Sequence, residues 1–285
     1  MSKPWILVSP ASRGIGHALT RHLLRTTTAP VFATARADLS GVRTSILDNL
    51  YASPPPEFTG DKNKASASAA ERLHIAQVDV TDEPTLRSAS ASAARLFPPE
   101  THHLRLAFAL PGILYPEKSP QDIDHAHALH TFQTNTLGPL LLMKWFGAFL
   151  PRRSVAVCPE PLFPSICAGP GHATWLTASA RVGSTTDNRL GGWYTYRASK
   201  AAVNSLTKTF DNHLRVRCAD AAGAIAYHPG TVRTDLSREY WDRVLAEQLF
   251  TPEYAVERML EVVRTRKIRE DRGRCWDHRG DEILP

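Results

Sequence analysis

The chain of 285 residues is poor in cysteine, and its four (Cys158, Cys167, Cys218 and Cys275) stand 9, 51 and 57 positions apart. They form no Cys-x-x-Cys pair and no His-Cys cluster at zinc spacing, so the expectation is a reduced compartment and no metal site. Long hydrophobic runs are missing too. The longest, Leu137 to Leu150, is broken by Lys144 and stops short of the roughly 18 residues of a membrane span. The opening MSKPWILVSPAS lacks the architecture of a cleavable signal. A cytoplasmic protein with no membrane partner is therefore expected.

Charge is ordinary at 22% and apolar residues make up 42%, which excludes a disordered tail or a collagen-like fibre. One large domain or two cramped ones would fit the length. Lys plus Arg exceed Asp plus Glu by 34 to 28, a net +6. Six of the eleven residues from Arg264 to Arg274 are cationic, but Glu270 and Asp271 interrupt them and no aromatic residues interleave. That pattern indicates a solvated charged face or a small anionic ligand, and no nucleic-acid partner is expected.

Short apolar runs at 5–8, 31–33, 73–78, 104–109, 175–177 and 224–227 alternate with helical stretches at 14–25, 83–96, 123–149, 194–214 and 252–263. Such alternation predicts βαβ units around a buried parallel sheet. Two segments break the rhythm: 52–72, rich in Pro, Ser, Ala and charge, predicts a solvated insertion, and 151–174, with five prolines, predicts a loop before the fifth strand.

The first run leads into Ser9-Pro10-Ala11-Ser12-Arg13-Gly14-Ile15-Gly16, a turn that opens a helix. Glycine there lets backbone N–H groups at the positive helix end approach a pyrophosphate, although such turns also serve as plain connectors. At the tip of the second strand stands Arg36, with Arg13 beside the turn. An acid at that tip would suit a ribose 2′-hydroxyl, whereas cations suit a 2′-phosphate, so NADP is favoured over NAD. Tyr196 and Lys200 are four residues apart on one predicted helix and share a face. A nearby cation favours phenolate, so the pair can pass a proton to or from an alcohol oxygen.

Taken in order, these motifs resemble those of the short-chain dehydrogenase/reductase family, in the subgroup of C-factor and the sniffer carbonyl reductases. The resemblance rests on the glycine turn, Asp79-Val80-Thr81-Asp82, Asn135-Thr136-Leu137-Gly138, Asp187 to Lys200, His228 to Asp235, Leu249 to Glu253 and Gly273 to Asp277. It implies a single Rossmann-type α/β domain over 1–285, a doubly wound parallel sheet flanked by helices. It also implies NADP(H) as cofactor and a ketone, aldehyde or alcohol as small-molecule substrate. Tyr196 would be the acid/base, Lys200 the residue that lowers its pKa, and Asn135 the holder of a water in the proton relay. Ser9, Ser12, Arg13, Gly14, Ile15, Gly16, Arg36, Asp79, Val80, Pro229, Gly230, Val232 and Thr234 would contact the cofactor, and no metal is implied. Pairing through the helices at 123–149 and 194–214 would give a homodimer or homotetramer.

The chain departs from the family pattern at three places. Pro10 replaces a glycine of the turn, Leu110-Pro111 replace two amides after the fourth strand, and Ala180 stands at the serine position three before Gly183. Ser179 is the foremost candidate for that serine, with Ser184 or no serine as alternatives. Substrate choice is expected to rest on 235–250, with Tyr240, Trp241, Leu245 and Phe250. The competing reading is an NADP-binding regulatory or interaction protein with impaired catalysis.

Overall fold

The computed structural model describes residues 2–52, 59–153 and 171–285. Its first half runs β1 (Lys3–Ser9), α1 (Gly14–Thr26), β2 (Val31–Ala35), α2 (Leu39–Leu47), α3 (Lys62–Arg72), β3 (Leu73–Gln77), α4 (Glu83–Leu96), β4 (His102–Ala109), α5 (His125–Phe132) and α6 (Gly138–Phe146). The second half runs β5 (Ala173–Ala178), α7 (Tyr194–Cys218), β6 (Ala222–His228), β7 (Thr231–Val232), β8 (Leu249–Phe250), α8 (Pro252–Thr265), β9 (Cys275–Asp277) and β10 (Glu282–Ile283). Eight strands form one sheet in the order β10-β9-β6-β5-β4-β1-β2-β3, parallel throughout except for the last pair, β9 with β10. This is the expected single-domain α/β fold.

Successive residues of a strand point to opposite faces, and β1 obeys this strictly. Ile6 and Val8 enter one apolar layer with Leu19, Leu23 and Met259. Trp5 and Leu7 enter the other with Leu86, Leu142 and Phe146. Helices therefore cover both faces, and the strands read as continuous apolar runs. Between β1 and β4 the strand order reverses direction, and there the carboxyl ends of the strands open a crevice.

Several sequence expectations need correction. The segment 52–72 is not wholly a solvated insertion: 53–58 lie outside the described residues, but α3 begins at Lys62 and packs Ala69 fully inside. Arg72 at its end donates to Ala29 O and Leu24 O. Of the predicted loop at 151–174, residues 154–170 lie outside the described residues, and β5 begins at Ala173. The predicted helix 123–149 is divided by a π-turn at Gln133–Leu137.

In the cationic run 264–274 Lys267, Arg269 and Arg274 are exposed, as a solvated face requires, but Arg272 is not. Arg272, 5% exposed, chelates Asp211 with Nε at 2.8 and 3.0 Å, while Arg264, Lys267, Arg269 and Arg274 pair with Glu261, Glu270, Asp220 and Glu282. Elsewhere arginines serve as remote helix caps. Arg21 donates to the last carbonyls of α2 and Arg217 to those following α6, where four carbonyls lack helical partners and a cation meets the negative dipole end.

Asp211 is fully buried and also accepts Ala224 N–H and Arg215 Nε, tying α7 to β6 and to the chain that leads into β9. Asp211→Ala would strand the buried Arg272 charge. A loss of about 3–5 kcal/mol in denaturant-unfolding stability is expected, and a variant within 1 kcal/mol of the parent, roughly the median worth of an exposed pair, would refute the role.

Candidate active site

A cleft of about 610 Å³ opens over the carboxyl ends of β1, β4, β5 and β6. One end is the turn into α1. Gly14 has φ +56°, and a Cβ on Gly16 would fall 1.9 Å from Pro10 O, so the turn closes only with glycine at 16. No side chain caps α1, and its first turn carries no acid, leaving the N–H groups and positive dipole end turned to the cleft. Gly14, Ile15, Gly16 and Arg13 line it, as do Pro229 and Thr234 from the opposite wall.

Other expected cofactor residues stand at different depths. Ser9 is fully buried, its hydroxyl accepting from Thr34 Oγ1 and its carbonyl from Leu110 N–H, so it braces the turn from below. Ser12 is exposed. Arg13 is 74% exposed along its side chain and reaches Asp235 at 3.6 Å. Arg36, at the tip of β2, is exposed, and its charge is felt by Asp79. Burial works against the charged form of Asp79, but the Thr81 hydroxyl and N–H, helped by Arg36 and His130, hold its carboxyl below the usual carboxylate range. Val80 packs on Gly138, where a Cβ would approach to 2.9 Å. Gly230 has φ +77° against the Phe250 ring, and Val232 is buried beside it.

Behind the wall formed by Gly112 and Ala178 lie Tyr196 and Lys200. Both are buried on the inner face of α7, and Lys200 Nζ donates to Ala178 O at 2.9 Å and sits 5.8 Å from the Tyr196 ring centre. Ala178 lines the cleft, as does Gly112, whose Cβ, if present, would stand 3.7 Å from Lys200 Nζ. Burial pushes the phenol up to about 12 and the ammonium down to about 8. Among the described residues nothing hydrogen-bonds the Tyr196 hydroxyl.

Asn135 sits in the π-turn, a feature frequent at functional sites. Its side chain accepts Ile113 N–H at 2.8 Å and donates to Ile113 O at 2.9 Å and Ser199 Oγ at 3.1 Å. It thus fastens the loop after β4, where Leu110-Pro111 replaced the family's amides, to α7.

Both candidate serines are bound within the protein. Ser179 is 4% exposed and its hydroxyl donates to Asn204 Oδ1 at 2.6 Å. The same hydroxyl lies 3.5 Å from Lys200 O. Ser184 is buried and accepts Asp187 N–H. The chain is extended at Ala180, and neighbours on extended backbone face opposite ways.

Residues 235–250 are mostly short 3₁₀ turns: Leu245 is 60% exposed, and Trp241 donates to Ser237 and lies under Arg233. The sequence reading missed Glu117, which is buried and bound to the start of α7. An acid between Pro116 and Lys118 carries no sequence signal beyond a surface loop.

No family model matches the chain. C-signal of Myxococcus xanthus is 32% identical over 162 residues, 57% of this chain and 81% of that protein. A 1-hydroxy-2-glutathionyl-2-methyl-3-butene dehydrogenase of Rhodococcus sp. is 31% identical over 163 residues, and the chain spans 60% of its length and matches with 57% of its own. Among solved structures, NADPH-bound carbonyl reductase from chicken fatty liver superposes over the whole of both chains with a TM-score of 0.73 at 25% identity. Carbonyl reductase Sniffer of D. melanogaster does so with a TM-score of 0.75 at 21% identity. No helix of the described residues is long and apolar enough to cross a membrane. With C-signal matched at 32% identity over 81% of its length, and the whole fold superposing on a carbonyl reductase, the chain belongs to the short-chain dehydrogenase/reductase family of oxidoreductases.

Proposed function

We propose that this protein is an NADP(H)-dependent carbonyl reductase and alcohol dehydrogenase acting on ketones or aldehydes. One observation carries the reading: a buried ammonium bound to Ala178, which lines the cleft, and a buried phenol beside it with no hydrogen-bonding partner among the described residues share a fold end with a cleft that begins at an uncapped helix N-terminus. The cleft suits a dinucleotide, because the glycine turn brings bare N–H groups to where a pyrophosphate would lie and the first turn of α1 holds no acid. Arg13 and Arg36 would hold the 2′-phosphate, Asp79 and Val80 the adenine, and Pro229, Gly230, Val232 and Thr234 the carboxamide end. The dinucleotide, when bound, supplies or takes up the hydride.

Tyr196 gives its proton to the carbonyl oxygen as charge builds there, and takes it back in alcohol oxidation. The Lys200 ammonium stabilises the phenolate left behind. Asn135 holds the loop that roofs both residues and lines the path by which a water returns the proton. With Ser179 engaged by Asn204, the tyrosine is the side-chain donor that polarises the carbonyl. Pairing of copies through α5, α6 and α7 belongs to the same proposal, supported by the exposed Leu129, Phe132, Leu140 and Val216 on those helices.

The test is NADPH consumption with a panel of aldehydes, ketones and quinones; tight NADPH binding without turnover across the panel would overturn it. The second reading, an NADP-responsive binding protein without catalysis, draws on the buried Ser179 hydroxyl bound to Asn204 and is what that negative result would support. Arg36→Asp should weaken NADPH by roughly 10- to 100-fold, the worth of a charged hydrogen bond, and NADH far less. Equal losses in a fluorescence titration would remove Arg36 from the 2′-phosphate site.

A further inference from the structure

The helix that carries Tyr196 and Lys200 has no cap of its own. Trp193 precedes α7 with φ 50° and ψ 45°, offers no side-chain cap, and the first turn holds no acid. Gly191 and Gly192, with φ +64° and +68°, complete three successive left-handed residues at the helix entry. A bulky residue in that region is uncommon, and the first N–H groups of a helix need partners.

Glu117 supplies them from the loop after β4, 78 positions away. It is 3% exposed; its carboxylate accepts Thr195 N–H at 2.7 Å and the Thr195 hydroxyl, and its carbonyl accepts Trp193 N–H at 2.6 Å. Among the described residues the carboxylate has no other partner. A buried carboxylate without a cation is costly, and here the positive end of α7 offsets it.

The same loop is fastened at its other end, where Asn135 holds both backbone groups of Ile113. Between the two fastenings Leu114 and Tyr115 line the cleft. Trp193, gripped by Glu117, places its ring edge-on to the Tyr196 ring with centres 6.2 Å apart, and its carbonyl accepts Arg197 N–H. Tyr196 follows Thr195 directly and, among the described residues, has no hydrogen bond to set its phenol, so the rotation of this first helical turn sets it.

We propose that Glu117 is a positioning residue: by bracing the first turn of α7 it holds the Tyr196 hydroxyl where a carbonyl oxygen would sit. The proposal rests on the reductase reading and adds to it the group that orients its acid. A misplacement of about 1 Å can cost on the order of 100-fold in rate.

Two variants separate geometry from charge. Glu117→Gln keeps an acceptor oxygen at the same reach and loses the charge, whereas Glu117→Asp keeps the charge and draws it back by one methylene. With NADPH and 4-nitrobenzaldehyde, Glu117→Gln should retain kcat within about threefold, and Glu117→Asp should lose at least about tenfold, with the Kd for NADPH within twofold in both. Hydrogen exchange of the unliganded protein should be faster at 194–197 in Glu117→Asp and unchanged in the last turns of α7. The reverse ranking, or faster exchange and a lower Tm with wild-type kcat in both variants, would reduce Glu117 to a structural cap and overturn the proposal. A wild-type protein that consumes no NADPH sinks the reductase reading and this role with it; an active wild type with an equally active Glu117→Asp sinks the role alone.

Discussion

Replacing Tyr196 by Phe is expected to lower NADPH-dependent carbonyl reduction by about 10²–10⁴-fold, the range of a positioned general acid, with NADPH affinity and Tm nearly unchanged. The phenol hydroxyl has no hydrogen bond among the described residues, so its removal leaves no orphaned partner and no cavity. The residual rate comes from orientation alone. A Phe variant retaining more than a tenth of the activity would move the acid role to another group.

The same pair predicts a pH dependence. Burial holds the phenol up at about 12 and the ammonium down at about 8. At neutral pH the tyrosine keeps its proton and the lysine its charge, the state that reduction requires. As pH rises through about 8, Lys200 loses its charge and reduction should fall. Oxidation needs phenolate and should rise toward alkaline pH. A reduction rate flat from pH 7 to 9.5 in a stopped assay would show that Lys200 does not titrate in this range.

Acidification from pH 7 to about 4 is expected to unfold the protein. Burial, the largest cause in each case, lowers His22, His103 and His172 to about 4 and His228 to about 3, with Arg25, Arg105 and Arg181 adding repulsion at His22, at His103 and His172, and at His228. The unfolded chain takes up these protons near pH 6.5 and the folded one does not, so stability is lost as pH falls through the window between 6.5 and 4. Each pH unit of that gap is worth about 1.4 kcal/mol per histidine. Four together withdraw on the order of 10 kcal/mol, as much as the whole stability of a typical domain. Asp79 and Asp277, held below the usual carboxylate range, add to the loss in the same direction. A Tm that is constant down to pH 4.5 by circular dichroism would refute the buried neutral state of these histidines.

How much of this was legible beforehand follows the range of the interactions. Alternating apolar runs located β1 to β6 because burial on both faces of a parallel sheet leaves a local mark. The turn at 14–16 and the spacing of Tyr196 and Lys200 are likewise local, set by glycine geometry and the helical repeat. The strand β9 is short and α3 is Ala- and Ser-rich, so neither carries such a mark. The surplus of arginine looked like solvated surface; its place at helix carbonyls and on Asp211 depends on partners 70 and 61 positions distant.

By itself the sequence determined the order of elements, the glycine turn and the phenol–ammonium pair, since each follows from residues within one turn or one strand of each other. Tertiary packing alone decided what the Ser179 hydroxyl binds and what steadies the first turn of α7. Asn204, across from the end of β5, accepts from the Ser179 hydroxyl. Glu117 reaches the start of α7 from the loop after β4. Both depend on how a strand end and a loop settle against one helix, and contacts closed over long stretches of chain leave no periodicity to read.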